Sequence, residues 1–458
     1  MTVARNTTPP AAGYSVAARL DRLPITRTHV VATLVIGLGL FFDAYENFLA
    51  STISAVLQAE LTLGRNELAL VLGSAFLGQF LGAIFMGRFA DRVGRRPAFM
   101  INLAVYSFFS LLGAFSPNAI FLVVTRFFAG VGIGAEYALA DTYLSDLMPR
   151  KVRGRFISWA YTLSFLGVPT VALLARWLVP LSPGGIDGWR ILFVLGALGS
   201  FAVWLVRRGL PESPRWLELA GRHDEAERIV ASMEDEARAA GHTLAEPDPA
   251  VRPTRRENLP LAALFKAPYL RRTVMLWILS ALEVFGYYGF GTLAPQALIT
   301  KGFDIVESLG FVAATAVGYP IGSLIAVPVV ERVERKWLVI GSALGMALFG
   351  VLFGLAGSAA LIVVFGVAYT LVSNLFSNAY HVYLSESYPT AVRATAAGAA
   401  YSLSKVVTGV MPFVLLPILL DHGAGTVFSV VAVVMGLLAV DVGVLGTRTT
   451  GRSADAVN

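Results

Sequence analysis

The sequence contains no cysteine and few charged residues. Of 458 residues, 14% are charged and 56% are hydrophobic, and the mean hydropathy is +0.68. The lack of cysteine excludes disulfides and thiolate metal sites. In soluble domains about a quarter of the residues are charged, so the low fraction of charged residues here excludes a chain of soluble domains. Because the apolar runs are continuous and do not alternate, a transmembrane β-barrel is excluded too, and a helical membrane protein remains.

Long apolar runs recur along the whole chain. A helix needs about 20 apolar residues to cross the hydrocarbon core of a bilayer. Allowing for isolated charges, the sequence predicts twelve spans. They lie near residues 29–54, 67–87, 97–116, 118–145, 156–180, 188–206, 273–299, 304–330, 337–357, 359–385, 394–418 and 423–446.

Lysine and arginine fall mostly on one side of these spans. Of 36 such residues, 30 lie in the two tails, in the even-numbered turns or in the long connection between spans six and seven. The positive-inside rule then places both termini in the cytoplasm and predicts a multi-pass protein of the cell membrane. Topology explains the net charge of +6, so no nucleic-acid partner is needed. We interpret the first 28 residues as a tail and not as a cleaved signal peptide.

The two halves of the chain are copies at an offset of 240 residues. The turn at 91–96 maps onto 331–336, and residues 143–149 map onto 383–389. We therefore predict an all-α membrane protein of two six-helix bundles related by an axis along the membrane normal, an arrangement suited to alternating access. The predicted domains are a tail (1–28), a bundle (29–208), a cytoplasmic connection with amphipathic helices (209–270), a second bundle (271–447) and a tail (448–458).

Three motifs resemble the major facilitator superfamily, and within it the sugar porters and metabolite:proton symporters. The turn GRFADRVGRR at 87–96 is similar to that between spans two and three, RFFAGVGIG at 126–134 to the fourth-span motif, and PESPRWL at 211–217 to the segment after span six. The resemblance implies secondary transport of a small molecule through the lipid bilayer by a non-enzyme. It implies no cofactor, with a proton gradient supplying the coupling ion, and we expect a monomer without a metal site.

Charged residues at the predicted cytoplasmic turns form a candidate gate, which bonds helix ends in one conformation and releases them in the other. The alternative is topological charge with helix capping. The candidate gate residues are Asp91, Arg92, Arg96, Asp146, Arg153, Glu331, Arg332, Glu386 and Arg393.

Ionisable residues inside the spans form the candidate proton-coupling site, because such groups are costly in lipid and usually have a partner. Asp43 and Arg126 fall at similar depth, and in sugar porters the corresponding acid and arginine form the coupling pair. A static buried salt bridge is the alternative. Glu46 lies one turn after Asp43, either as a second titrating acid or as an ordinary solvated one. Glu136 and Glu283 are further candidates.

The second half contributes the main candidate for substrate contact. Lys405 lies near the predicted midplane and invites an anionic substrate, unless Glu283 only neutralises it. Besides Lys405, polar and aromatic side chains are candidates for lining the cavity. The predicted substrate-binding residues are Tyr45, Arg126, Tyr287, Tyr288, Asn374, Asn378, Tyr401 and Lys405. We interpret Asp141 as a helix-end charge and His381 as a packing residue.

These features favour a proton symporter that imports a small organic anion. Spans five and seven lack the glutamines with which sugar porters bind hydroxyl groups. Inorganic phosphate, a sugar, or export by proton exchange remain as alternatives. A transport-inactive sensor or a membrane enzyme is disfavoured, because no large signalling extension and no metal or nucleophile cluster stands out.

Overall fold

The computed structural model describes residues 15–248, 264–266, 269–388 and 390–449, without the side chains of Asp91, Glu331, Ser385 and residues 390–395. These residues form helices, turns and short loops, as the composition predicts. The predicted tails and the proline-rich part of the connection fall largely outside the described residues.

Ten α-helices precede the connection, two lie in it and six follow it. The first ten are α1 (Val16–Asp21), α2 (Arg27–Thr52), α3 (Ser54–Glu60), α4 (Arg65–Val93), α5 (Arg95–Ala114), α6 (Ala119–Ile133), α7 (Glu136–Leu147), α8 (Arg153–Phe165), α9 (Gly167–Leu178) and α10 (Gly188–Arg207). The others are α11 (Pro214–Leu219), α12 (His223–Ala239), α13 (Leu270–Thr300), α14 (Ile305–Ala316), α15 (Gly318–Arg332), α16 (Arg335–Leu355), α17 (Ala359–Glu386) and α18 (Thr390–Leu445).

These helices provide the twelve predicted spans. Eleven stretches of the described chain are long and apolar enough to cross a membrane, and the last of them, Ala396–Leu445, has 50 residues. Such a helix would be about 75 Å long if straight, far more than one bilayer crossing needs. It turns at Gly423, whose φ of +80° is not helical, so α18 supplies spans eleven and twelve.

Three spans are interrupted near their middle. The breaks lie between α6 and α7, between α8 and α9, and between α14 and α15. The first break makes Glu136 the first residue of α7. An acid at a helix N-terminus is stabilised by the helix dipole, so this interruption creates a favourable place for a buried carboxylate.

The N-terminal segment and the connection are tied together by charge. Arg19 Nε lies 2.9 Å and Arg22 Nη2 lies 2.7 Å from the Glu234 carboxylate on α12. Burial alone would raise the pKa of Glu234, but the hydrogen bonds from the two arginines lower it to about 2. The pair Arg215–Asp21, at 2.9 Å, adds a second link. We call the end of the bundle that carries these contacts the connection end, and the opposite end the far end.

The two halves meet mainly along four helix pairs. Helix α4 packs on α18, α9 on α14, α2 on α13, and α8 on α15. At the far end, Arg65 of α4 pairs with Asp421 of α18 at 2.7 Å, and Gln296 donates to Gln58 at 3.1 Å. Among the ion pairs of the described side chains, Arg65–Asp421 is the one that joins the halves. The halves are therefore fastened together at the far end.

The far-end seam depends on a glycine. A Cβ added to Gly73 of α4 would lie 2.1 Å from the carbonyl oxygen of Gly409 in α18. Small residues of this kind let helix backbones approach closely in lipid. A larger residue at position 73 must push α4 and α18 apart.

We therefore expect Gly73→Val to open the far end. The measurement is the labelling rate of a cysteine at Gln296, a residue that is 2% exposed, with a membrane-impermeant reagent, in a chain that has no other cysteine. The rate should rise at least several-fold. Gly341→Val is the matched control, because a Cβ there meets nothing within 4 Å. Equal labelling in both variants would contradict the role of Gly73 as the contact that permits closure.

Candidate functional site

One face of α2 carries the buried acids of the first half. Asp43 and Glu46 follow Gly39 by four and seven residues, which places all three on the same side of the helix. Both carboxylates are 1% exposed. Helices α6, α7 and α10 bring the groups that face them.

Arg126 of α6 pairs with Glu46. Its Nη1 lies 2.6 Å from Glu46 Oε1 and 3.2 Å from the Glu46 carbonyl oxygen, and Ser110 Oγ donates to the other carboxylate oxygen at 2.9 Å. The predicted Asp43–Arg126 ion pair is therefore wrong. The predicted depth of Arg126 in the membrane is accurate only to about one helical turn. Asp43 and Glu46 are one turn apart, so this accuracy does not decide which of them pairs with Arg126. The prediction of Glu46 as a solvated acid is wrong as well, since this residue is buried.

A second buried ion pair joins Arg207 and Glu136. Arg207 closes α10, is 2% exposed and forms an ion pair with the Glu136 carboxylate. Its guanidinium carbon lies 4.6 Å from the centre of the Phe99 ring. Gly39 makes room for it, because a Cβ there would coincide with the guanidinium. The predicted span ends at residue 206, which makes Arg207 a predicted cytoplasmic charge, whereas the structure buries it inside the bundle.

Asp43 lies between these two pairs without a cation of its own. Its Oδ2 is buried and has no hydrogen-bond partner. Glu136, Arg207 and Glu46 are the charged groups in electrostatic range. The cluster thus holds three carboxyl groups and two guanidinium groups. If every group is ionised, one negative charge remains, and a single proton removes it.

The second half buries a lysine in a cage of aromatic rings. Lys405 of α18 is 1% exposed, and its Nζ donates to Tyr288 Oη at 2.9 Å. The same nitrogen lies 4.8 Å from the ring centres of Tyr288 and Tyr401 and 5.7 Å from that of Phe76. An ammonium group has three N–H donors, so two are left for a ligand.

Glu283 lies in electrostatic range of Lys405, but the described contacts include no ion pair between them within 4.0 Å. The described contacts of the Lys405 ammonium are therefore with the Tyr288 phenol and the surrounding rings, while Glu283 acts on it at longer range.

Of the other predicted substrate-binding residues, Tyr45 lies in the first half, and Tyr287, Asn374 and Asn378 lie in the second. Tyr45 donates to the Leu192 carbonyl at 2.9 Å and packs inside the first half, so its prediction as a cavity residue is wrong for this structure. Tyr287 forms an edge contact with Tyr288, its ring centre 4.9 Å away, beside the lysine cage. Asn374 donates to the Tyr319 carbonyl and leaves its own Oδ1 buried and unpartnered. Asn378 donates to the Asn374 carbonyl at 2.9 Å.

A layer of rings lies between the lysine cage and the connection end. Tyr161 Oη donates to Asp141 Oδ2 at 3.1 Å, and the Tyr161 ring centre lies 6.4 Å from that of His381 across the seam between the halves. His381 in turn lies 6.4 Å from Tyr401. His381 is exposed although it belongs to a membrane span. The interpretation of Asp141 as a helix-end charge is wrong, because it lies within α7 and accepts from Tyr161. The described contacts of His381 are with aromatic rings, and its interpretation as a packing residue stays a prediction.

The candidate gate residues bond within their own halves. Asp146 accepts from Ser213 Oγ at 2.9 Å, and Glu386 lies 3.4 Å from Arg335 and accepts from Thr449 at 2.8 Å. Arg92 and Arg332 are exposed, and the Arg153 Nε is buried without a partner. The side chains of Asp91, Glu331 and Arg393 lie outside the described residues. The printed contacts of Asp146 and Glu386 thus stay within one half each.

Glu212 of the segment at 211–217 is a site residue that sequence reasoning missed. Its carboxylate accepts from the backbone N–H groups of Arg95 at 3.1 Å, Arg96 at 3.2 Å and Ser213 at 2.8 Å. It therefore caps the N-terminus of α5, where an anion is favoured. The sequence shows Glu212 as an acid within the motif at 211–217, but one sequence does not reveal what that acid contacts.

Removing one partner of a buried ion pair leaves the other charge uncompensated, which costs about 3–5 kcal/mol. We expect Arg207→Met to lower the thermal unfolding temperature in detergent by many degrees. The double variant Arg207→Met/Glu136→Leu should recover most of that loss, because no unpaired charge remains. A single variant as stable as the wild type would show that Glu136 is held in its protonated form without Arg207.

Comparisons with known proteins agree with this arrangement. The family described as sugar (and other) transporter matches residues 33–458. The chain is 34% identical over 390 residues to the metabolite transport protein YyaJ of Bacillus subtilis (strain 168), covering 85% of this chain and 86% of that protein. It is 30% identical over 441 residues to the niacin transporter NiaP of Acinetobacter baylyi, covering 96% and 99%.

Solved structures share the fold. The inward open conformation of the xylose transporter XylE from Escherichia coli superimposes with a TM-score of 0.74 at 20% identity, over 94% of this chain and 99% of that one. This chain therefore belongs to the sugar (and other) transporter family of the major facilitator superfamily, and it is a multi-pass membrane transporter and not an enzyme.

Proposed function

We propose that the protein is a proton-coupled symporter that imports a small organic anion by alternating access. The observation that carries this proposal is a buried ionisable group in each half that makes no direct ion pair among the described contacts. Asp43 has no cation of its own, and Lys405 is hydrogen-bonded to a phenol. A carboxyl group without a fixed partner is suited to carry a proton, and an ammonium group without one is suited to bind an anion.

Charge balance links the two sites. An anion that binds at Lys405 adds a negative charge to the interior of the protein, where uncompensated charge is expensive. A proton taken up by the Asp43 cluster offsets that charge. The loaded protein then has the same buried net charge as the empty one, so the halves can move without carrying an additional charge across the lipid. This predicts one proton for each monovalent anion.

The fixed pairs give Asp43 its role. Glu46 and Glu136 each contact a guanidinium group directly, which favours their charged forms. Among the three carboxyl groups of this cluster, Asp43 is the one whose protonation breaks no described ion pair. The pairs Glu46–Arg126 and Glu136–Arg207 are expected to respond to its charge, since both lie in electrostatic range of it or of its neighbours.

We further propose that the connection end faces the cytoplasm, where lysine and arginine are concentrated. The far-end contacts Arg65–Asp421 and Gln58–Gln296 then close the outer side. The described contacts of the gate residues Asp146 and Glu386 stay within their halves on the inner side, which supports an inward-facing conformation. Labelling of a cysteine at Gln296 tests the orientation as well, because the reagent must act from the outer face.

The relatives favour an organic anion without deciding the substrate. Niacin, which NiaP is named for, is a small carboxylate, while XylE is named for a sugar. Phosphate and sugars therefore belong in the same uptake experiment as separate arms. An outward movement of substrate driven by the same proton gradient would indicate proton exchange in place of symport.

Asp43→Asn should abolish accumulation while leaving exchange. In proteoliposomes with an inward proton gradient, the wild type should concentrate an organic acid, and a protonophore should collapse the gradient of that acid. The amide mimics the protonated carboxyl group, so the variant can still exchange internal for external substrate but cannot couple it to protons. Accumulation that survives both the protonophore and Asp43→Asn would rule out proton symport.

Lys405→Gln should raise the KM for the anion. Hydrogen bonds to a charged group contribute about 1.5–3 kcal/mol, so the increase should be roughly 10- to 100-fold. Lys301→Gln is the matched control, since the Lys301 ammonium bonds the Gly354 and Ala356 carbonyls far from the cage. Equal KM values in the Lys405 and Lys301 variants would place the anion elsewhere.

A further inference from the structure

The ring layer between Lys405 and the connection end is built from equivalent positions of the two halves. Asp141 and Tyr161 of the first half correspond, at the offset of 240, to His381 and Tyr401 of the second. The Tyr161–His381 contact crosses the seam, with 6.4 Å between the ring centres. A contact between one member of each equivalent pair indicates a position near the axis that relates the halves, which is the predicted central path of the transporter.

The layer is next to the lysine cage. Tyr401 belongs to both, since its ring centre lies 4.8 Å from Lys405 Nζ and 6.4 Å from the His381 ring centre. Lys405 follows Tyr401 by four residues, or about 6 Å along the helix. A ligand whose carboxylate binds Lys405 therefore reaches the layer with the group at its other end, provided it is about one ring long.

The side chains around Tyr161 and around the lysine cage are aromatic. Tyr161 stacks on Tyr137 with ring centres 5.8 Å apart, and Tyr288 lies between Phe48 and Phe76 at 6.5 Å and 5.1 Å. Aromatic rings pack best against other aromatic rings in offset or edge-on geometry. The ring of an aromatic ligand would pack well against these side chains.

Asp141 fixes the chemistry of the Tyr161 hydroxyl. The hydroxyl proton is donated to Asp141 Oδ2 at 3.1 Å, so towards a ligand the phenol oxygen can only accept a hydrogen bond. The remaining carboxylate oxygen, Asp141 Oδ1, is buried without a partner and is a second acceptor. Tyr161, Asp141 and His381 are all at least partly exposed at their side chains, in contrast to the buried pairs of the first half.

Resting on the proposed function, we propose that the substrate is a monocyclic aromatic carboxylate with a hydroxyl or N–H donor on the ring opposite the carboxylate. Lys405 binds the carboxylate, and Tyr161, oriented by Asp141, accepts the hydrogen bond from the ring donor. Tyr161 is thus the residue that determines specificity, and Asp141 positions its proton. An acid without the donor leaves the phenol oxygen unpaired and binds more weakly.

The test measures binding in detergent, so that it does not depend on transport. Dissociation constants are determined by scintillation proximity for benzoate, 4-hydroxybenzoate and nicotinate on the purified full chain. The wild type should prefer 4-hydroxybenzoate to benzoate by about tenfold or more. Tyr161→Phe should bring this ratio close to one. Tyr143→Phe is the matched control, because that phenol donates to the Pro211 carbonyl, and it should keep the wild-type ratio.

Asp141→Asn separates the positioning role from packing. An amide can donate to the phenol oxygen, which frees the Tyr161 proton to point at the ligand. The preference for 4-hydroxybenzoate over nicotinate, whose ring nitrogen accepts, should then fall several-fold while both acids still bind. An unchanged benzoate ratio in Tyr161→Phe, or a wild type that binds none of the three acids, would overturn the inference. Binding of the acids without proton-driven uptake would instead contradict only the proposed function.

Discussion

The cost of an uncompensated charge inside the bilayer governs the arrangement of this transporter. Five ionisable groups of the first half, three carboxyl and two guanidinium, are buried around one face of α2. Two ion pairs satisfy four of them, and the fifth, Asp43, must be neutral or must impose its charge on the whole cluster. The other features follow from this constraint, since Gly39 makes room for Arg207, and the break before α7 places Glu136 at a helix N-terminus.

The repeat gives both halves the same fold but not the same chemistry. At the offset of 240, Asp43 corresponds to Glu283, but Glu46, Arg126 and Glu136 correspond to Gly286, Gly366 and Phe376. The second half has therefore lost the ion pairs and has gained Lys405 where the first half has Phe165. In the proposed mechanism, one half titrates while the other binds the substrate. The proton and the proposed anion then occupy different sites and influence each other through the shared charge balance.

The sequence predicted the fold because hydropathy, positive charge and the repeat all depend on local composition. The twelve spans, the all-α class and the motifs at 87–96 and 211–217 needed no knowledge of contacts. The site was predicted only in part. Asp43, Glu46, Arg126, Glu136 and Lys405 were found because charge is rare in spans, but their pairing required rotation and depth to better than one turn. Arg207 was counted with the connection because the predicted span ends at residue 206. Tyr161 was not predicted as a site residue, because the sequence contains many aromatic residues and nothing in it distinguishes this one.

The offset also explains why the ring layer can distinguish the two ends of a ligand. Around a two-fold axis, identical residues would bind a ligand equally well in two opposite orientations. Tyr161 and Tyr401 are such an identical pair, but their neighbours are Asp141 in one half and His381 in the other. The carboxylate fixes one phenol as an acceptor, whereas the other phenol lies beside Lys405. Divergence at one pair of equivalent positions thus converts a symmetric interface into a polar one, which suits the proposed substrate with a carboxylate at one end.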